Sequence, residues 1–193
     1  MRKIEAKGEV MEQTKTMTIK RRKALLMLGE LNNDDLDWML RTGKKETIAP
    51  GQILIHEGQP SMAIYIVLDG EFNILLGNRP LAKIGTGELI GEVSFLDQQV
   101  PVATVQAATE SVILSIPRWH LVLQLQKSIG FAARFYRGLA LCLSDRMRGT
   151  IKRLGYGIDV AQLYEEHESF DETEVERLEL AQAKFNWLLQ YQD

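Results

Sequence analysis

The chain has 193 residues, of which 45 % are hydrophobic and 25 % charged, with a formal net charge of −3. That suffices for one domain with extensions and a buried core, and the near-neutral balance argues against nucleic acid as a partner. The single cysteine, Cys142, excludes an intrachain disulfide and suits a reducing compartment.

Charge is unevenly distributed. Residues 1–23 carry eight Lys/Arg against three Asp/Glu, residues 24–158 carry thirteen of each, and residues 159–193 carry two against ten. The reading is a basic head, a neutral body and an acidic tail. No apolar run reaches membrane-spanning length, and the start MRKIEAKGEVMEQ lacks the apolar stretch of a secretory signal. A cytoplasmic protein without a membrane partner is expected.

Residues 1–18 are polar and aperiodic, and are expected to be a disordered basic segment. From Ile19 to Leu31 the pattern turns helical, with Leu25, Leu28 and Leu31 on one stripe. Asn32 is placed to cap a second helix with Leu36, Met39 and Leu40 buried, ended by Gly43. From Thr47 to Ile116 the reading is strands: Ile53–Ile55, Ile64–Leu68, Phe72–Leu76, Leu81–Ile84, Ala103–Ala107 and Val112–Ile116. Glycine turns punctuate them, and Gly77-Asn78 fits a tight hairpin. Short strands at regular spacing predict an antiparallel, jelly-roll-like β-roll.

Pro117 opens a helical region, since its missing N–H costs nothing at a first turn. Trp119, Leu121, Val122 and Leu125 belong to one helix. A longer one is expected from about Ile129 to Leu154, with the stripe Phe131, Phe135, Leu139, Cys142 or Leu143, Met147, Ile151 and Leu154. Gly155-Tyr156-Gly157 stops it. Asp171-Glu-Thr-Glu174 resembles a capping box ahead of a final amphipathic helix of Val175, Leu178, Ala181, Phe185, Leu188 and Leu189. The expected fold is thus α+β, a β-roll between N-terminal helices and a long C-terminal helix. Its organisation is 1–18, a domain at 19–157, and an acidic tail at 158–193.

Gly51-Gln-Ile-Leu-Ile-His-Glu-Gly58, followed by Ile64-Tyr-Ile-Val-Leu-Asp-Gly70, resembles the signature of cyclic nucleotide-binding domains such as the effector domain of the catabolite activator protein. Gly91-Glu-Val-Ser-Phe-Leu-Asp-Gln-Gln-Val-Pro-Val-Ala-Thr104 is similar to that family's phosphate-binding cassette. The likeness covers roughly residues 25 to 155. It implies a short helix near Glu92 presenting its free N–H groups to a cyclic phosphate. Ligand-binding residues implied by the resemblance are Gly91, Glu92, Val93, Ala103 and Thr104, with Glu92 accepting from the ribose 2′-hydroxyl.

The same resemblance exposes a departure. The family's phosphate-gripping arginine falls here on Pro101, and no Arg or Lys lies between Lys83 and Arg118. A cyclic phosphate loses its charge-assisted partner, and Glu92 is left as an uncompensated negative charge. Two alternatives stay open: a basic residue from another segment, such as Arg79 or the long helix, reaches in, or the pocket holds a neutral ligand or none. Tight cyclic nucleotide binding is not expected, and no cofactor is required.

The expected function is a non-enzymatic regulatory module acting through protein contacts, as a homodimer with a further partner unspecified. Phe135, Leu139 and Cys142 are candidates for the dimer seam, the alternative being that this stripe packs on the chain's own roll. Members of the family that bind DNA append a helix-turn-helix; the 35 residues after Ile158, with ten Asp/Glu against two Lys/Arg, are too few and of the wrong sign for that. The tail helix, with Phe185, Trp187, Leu188 and Leu189, is expected either to pack on its own domain or to dock on a partner. Arg21-Arg22-Lys23-Ala24-Leu25 resembles a kinase pseudosubstrate. Two alternatives stand beside the main reading: a true cyclic nucleotide receptor signalling through its C-terminal helices, and a cupin-like enzyme. The three histidines, His56, His120 and His167, show no metal-ligand spacing, and no catalytic or metal residue is assigned.

Overall fold

The computed structural model of the chain describes residues 27–153 and 172–191. The expectations for residues 1–26, for the Gly155-Tyr156-Gly157 stop, for Leu154 and Asp171, and for the side chains of Val175 and Leu178 lie outside the described residues.

A helical turn at 27–30 leads into α1 (Asn33–Thr42). Asn32 caps α1: its side chain accepts from the Asp35 N–H, and the Asp35 carboxylate accepts from the Asn32 N–H, both at 2.9 Å. Gly43 ends the helix where a Cβ would meet Leu114 Cδ1 at 2.7 Å, so only glycine lets the chain pass this close to the sheet. Eight strands follow: β1 (Lys44–Ile48), β2 (Ile53–Ile55), β3 (Ala63–Asp69), β4 (Glu71–Leu76), β5 (Arg79–Gly85), β6 (Leu89–Ile90), β7 (Thr104–Ala107) and β8 (Ser111–Pro117). Between β6 and β7 lies the short helix α2 (Glu92–Leu96). After β8 come α3 (Arg118–Lys127), α4 (Ile129–Arg153) and α5 (Glu172–Gln190).

The strands form two antiparallel four-stranded sheets, β1-β8-β3-β6 and β2-β7-β4-β5. The expected roll is present, and Gly77-Asn78 does connect β4 to β5 through the paired residues Leu76 and Arg79. Val67, Phe72, Ile90, Val105 and Ile113 fill the space between the sheets. The other face of the first sheet, through Ile64, Ile66, Leu68, Leu114 and Ile116, packs on the helices. β3 is therefore covered on both faces, which is why it reads as the unbroken run Ile-Tyr-Ile-Val-Leu rather than as an alternation.

Aromatic rings tie the helices together. Trp38 of α1 meets Phe131 of α4 edge-on at 5.2 Å, Phe131 stacks on Phe135 at 5.6 Å, and Phe135 meets Phe95 of α2 edge-on at 6.1 Å. Each contact contributes about 0.5–1.5 kcal/mol beyond the area it buries. The series runs from the N-terminal helices to the cassette.

The long helix corrects the sequence reading in two ways. Phe135, Leu139 and Cys142, expected as a dimer seam, are buried in the chain's own core, so they do not face a second copy. Met147 and Ile151, expected on the same stripe, are exposed. After Cys142 the inward position one turn on is Arg146, whose guanidinium reaches the β-roll.

α5 packs Ala181, Phe185 and Leu188 into the helical core, as its periodicity implied, while Leu189 is exposed. Lys184, buried among them, donates from Nζ to the carbonyls of Leu28 (3.2 Å) and Leu31, and Lys45 donates to the carbonyls of Leu189 and Tyr191. These lysines satisfy carbonyls that helix ends leave unpaired. Among the described residues no helix is long and apolar enough to cross a membrane.

Candidate functional site

The site is built where β6 ends. Gly91 takes φ +90°, and a Cβ there would lie 3.1 Å from the Ala63 carbonyl and 3.3 Å from Ile55 Cδ1. Both the left-handed backbone and the close approach require glycine. The turn starts α2, with Ser94 Oγ donating to the Gly91 carbonyl at 3.1 Å.

Glu92, the first residue of α2, is 2 % exposed. Its carboxylate is held by Arg146 of α4, which donates from Nη1 to Glu92 Oε1 and from Nη2 to the Leu89 carbonyl. One guanidinium thus joins β6, α2 and α4. Burial pushes the Glu92 carboxyl above its ordinary range, against the Arg146 charge and a backbone hydrogen bond that pull it down; Glu88 adds a small push upward. The expectation of an uncompensated negative charge at Glu92 is corrected here: the compensating cation comes from a helix 54 residues away in sequence.

The remaining residues implied by the resemblance are distributed along the cassette. Val93 points outward and is about half exposed. Thr104 opens β7, and its Oγ1 accepts from the Glu57 N–H at 3.2 Å, while Ala103 precedes it, partly buried. Pro101 accepts from the Gly58 N–H at 2.8 Å through its carbonyl. That contact fixes the backbone, but the proline ring has nothing with which to grip an anion.

A second arginine sits at the far end of α2. Arg118, the first residue of α3, donates to the carbonyls of Ser61 (3.0 Å) and Ser94, with its guanidinium 5.4 Å from the Phe95 ring centroid. It fastens α2 to the loop before β3.

A second arginine–carboxylate pair joins α4 to α1. Arg134 of α4 donates from Nε (2.6 Å) and Nη2 (2.8 Å) to the two oxygens of Asp35, the buried capping residue of α1. Burial alone would raise Asp35, but the hydrogen bonds from Arg134 and from the Asn32 N–H, with the charges of Arg134 and Lys184, hold it below its ordinary value. Cys142, one turn before Arg146, has its thiol pushed up to about 11 by burial. It is a protonated core residue at neutral pH.

Hydrophobic periodicity missed both α4 pairs. The sign available was an arginine at the inward position after Cys142, and an aspartate three residues after the capping Asn32. Neither reveals its partner.

Residues 45–128 match the family model described as the cyclic nucleotide-binding domain. Over 94 residues the chain is 39 % identical to the voltage-gated inwardly rectifying potassium channel KCNH3 of Rattus norvegicus, covering 47 % of this chain but 8 % of that channel. Among solved structures, a cyclic nucleotide-binding domain from Methylobacillus flagellatus aligns with a TM-score of 0.61 at 20 % identity, covering 70 % of this chain and 83 % of that one. The catabolite activator protein of Thermus thermophilus aligns with a TM-score of 0.55 at 21 % identity, covering 85 % and 84 %. These two show a shared fold. Over residues 45–128, less than half of its length, the chain is similar to the cyclic nucleotide-binding domain family.

Proposed function

We propose that this domain is a non-enzymatic regulatory module whose cassette is closed by its own ion pair rather than by a cyclic nucleotide, and which acts through protein contacts. The observation that carries the reading is the contact between Arg146 and Glu92. Glu92 is the group that would receive a ribose hydroxyl, and one of its carboxylate oxygens already accepts from Arg146. Pro101 stands where the phosphate would need a guanidinium. Hydrogen bonds to charged groups contribute about 1.5–3 kcal/mol each, so losing a forked pair weakens binding by about 10²–10³-fold or more. Displacing Arg146 from a buried carboxylate adds to that penalty.

The same contact ties the cassette to α4, so anything that moves the helix also moves α2. The outer face of α4 carries Ala140, Ser144, Met147 and Ile151 at four-three-four spacing, with Met147 and Ile151 exposed. That spacing suits self-pairing of two helices, and it supports a homodimer through this face rather than through the buried stripe.

Titration calorimetry with cyclic AMP and cyclic GMP tests the reading. The expected result is no saturable binding tighter than about millimolar, equivalent to roughly 4 kcal/mol, with binding gained in Pro101→Arg. Micromolar binding by the native chain that is lost in Glu92→Ala would make it a cyclic nucleotide receptor instead.

A further inference from the structure

A groove of about 660 Å³ lies on the helical side of the cassette, between the tip of α2 and helices α3 and α4. Neither Glu92 nor Pro101 lines it, so it is distinct from the cassette's nucleotide side. Its volume is in the range of small-ligand sites.

Three features of the groove are unusual together. Its walls are mixed and open to solvent: the apolar side chains Leu96, Val122 and Tyr136, each more than a third exposed, stand beside Ser94, Gln98, Gln99 and Gln126. Arg118 is the one charged residue of the lining. Among the described residues, two of its N–H donors go to the carbonyls of Ser61 and Ser94, and a guanidinium has five. The only acid whose charge it feels is the exposed Asp97 beside the rim, which accepts from the Gln99 N–H. The rim itself holds Gln98 at φ +58°, the left-handed region that a glutamine seldom occupies.

We propose that this groove binds a small amphipathic monocarboxylate, its carboxylate on Arg118 and its apolar body along Leu96, Val122 and Tyr136. A single cation beside a strip of exposed apolar side chains is complementary to one negative charge on a hydrophobic chain. The carboxylate brings the planar pair of acceptors that a guanidinium recognises. An occupant would touch α2, α3 and α4 at once.

The test is calorimetric titration of the full chain with decanoate and with 1-decanol, the neutral molecule of the same length. Decanoate is expected to bind saturably, one per chain, and at least tenfold tighter than decanol, a difference of about 1.4 kcal/mol. Val122→Glu and Gln126→Glu each place a carboxylate on an exposed groove position, so the fold is kept while an anion is repelled. Either should weaken decanoate at least tenfold and leave decanol within about threefold. Absence of saturable decanoate binding, equal affinity for decanol, or undiminished binding in both variants would overturn the proposal. Because the cassette's nucleotide residues are outside the groove, that failure would leave the Arg146–Glu92 reading standing.

Discussion

Helix α4 grips two buried carboxylates three turns apart, and it grips them differently. At Asp35 the guanidinium of Arg134 forms a two-pronged pair, and the capping N–H of Asn32 supplies a further donor. At Glu92 the guanidinium of Arg146 divides itself between one carboxylate oxygen and the Leu89 carbonyl. The consequence appears in the acidities. Asp35 is held below its ordinary value and Glu92 above it. Equal residue types in equal numbers therefore have opposite effects: the first pair is a structural clamp, and the second is a charged contact held in place against the cost of desolvation.

The largest separation between the two pairs should come from removing each arginine. Arg134→Ala leaves Asp35 ionised and buried without its partner, and is expected to cost toward the lower end of about 3–5 kcal/mol, since Arg134 itself is one-third exposed. Arg146→Ala should cost less, because Glu92 escapes by taking up a proton. Chemical denaturation of both variants measures the difference. Equal losses would mean that the two pairs are equivalent.

Neutralising the carboxylates sharpens the contrast. Asp35→Asn gives up charge-assisted bonds worth about 1.5–3 kcal/mol each, whereas Glu92→Gln should be neutral or stabilising at neutral pH. The pH dependence carries opposite signs. With its folded pKa lowered, Asp35 contributes stability above the ordinary carboxylate value that is lost as pH falls through the folded value. With its folded pKa raised, Glu92 favours the fold most at low pH, and that contribution is lost as pH rises from the ordinary value through the folded one. Relative to the native chain, Glu92→Gln should thus gain stability as pH rises above the ordinary carboxylate value, whereas the deficit of Asp35→Asn should be full at neutral pH and shrink only as pH falls below that value, as read from denaturation midpoints.

The smallest expected effect concerns Cys142, which lies on the same inward stripe as Arg146. With its thiol raised from 9.0 to about 11, the folded chain holds about 100-fold less thiolate than the unfolded one at neutral pH. Maleimide labelling should be slow in the native chain and fast in denaturant. If Arg146→Ala loosens α4 from the cassette, labelling should quicken in that variant and not in a remote surface variant such as Lys83→Ala.

The roll was legible because strand burial leaves a repeating mark: the runs at Ile64, Phe72 and Val112 each became strands, and the cassette glycine fell where a left-handed turn was needed. β1, with the polar sequence Lys-Lys-Glu-Thr-Ile, and the two-residue β6 leave no such mark and were not anticipated. The long helix was read correctly through Cys142 and wrongly beyond it. A rule that follows apolar residues steps from Cys142 toward Met147, while the structure turns Arg146 inward because a buried carboxylate waits there. Pairings across the fold, such as Arg146 with Glu92 or Arg134 with Asp35, depend on which elements meet. Local periodicity holds no information about that.

The central claim is that Arg146 occupies the position a nucleotide sugar would need. Its most direct test compares cyclic AMP binding by Pro101→Arg with binding by the double variant Pro101→Arg/Arg146→Met, each checked for an intact fold by circular dichroism. Freeing Glu92 should tighten binding at least tenfold, about 1.4 kcal/mol. Binding by the double variant that is equal to or weaker than that of Pro101→Arg alone would contradict the account.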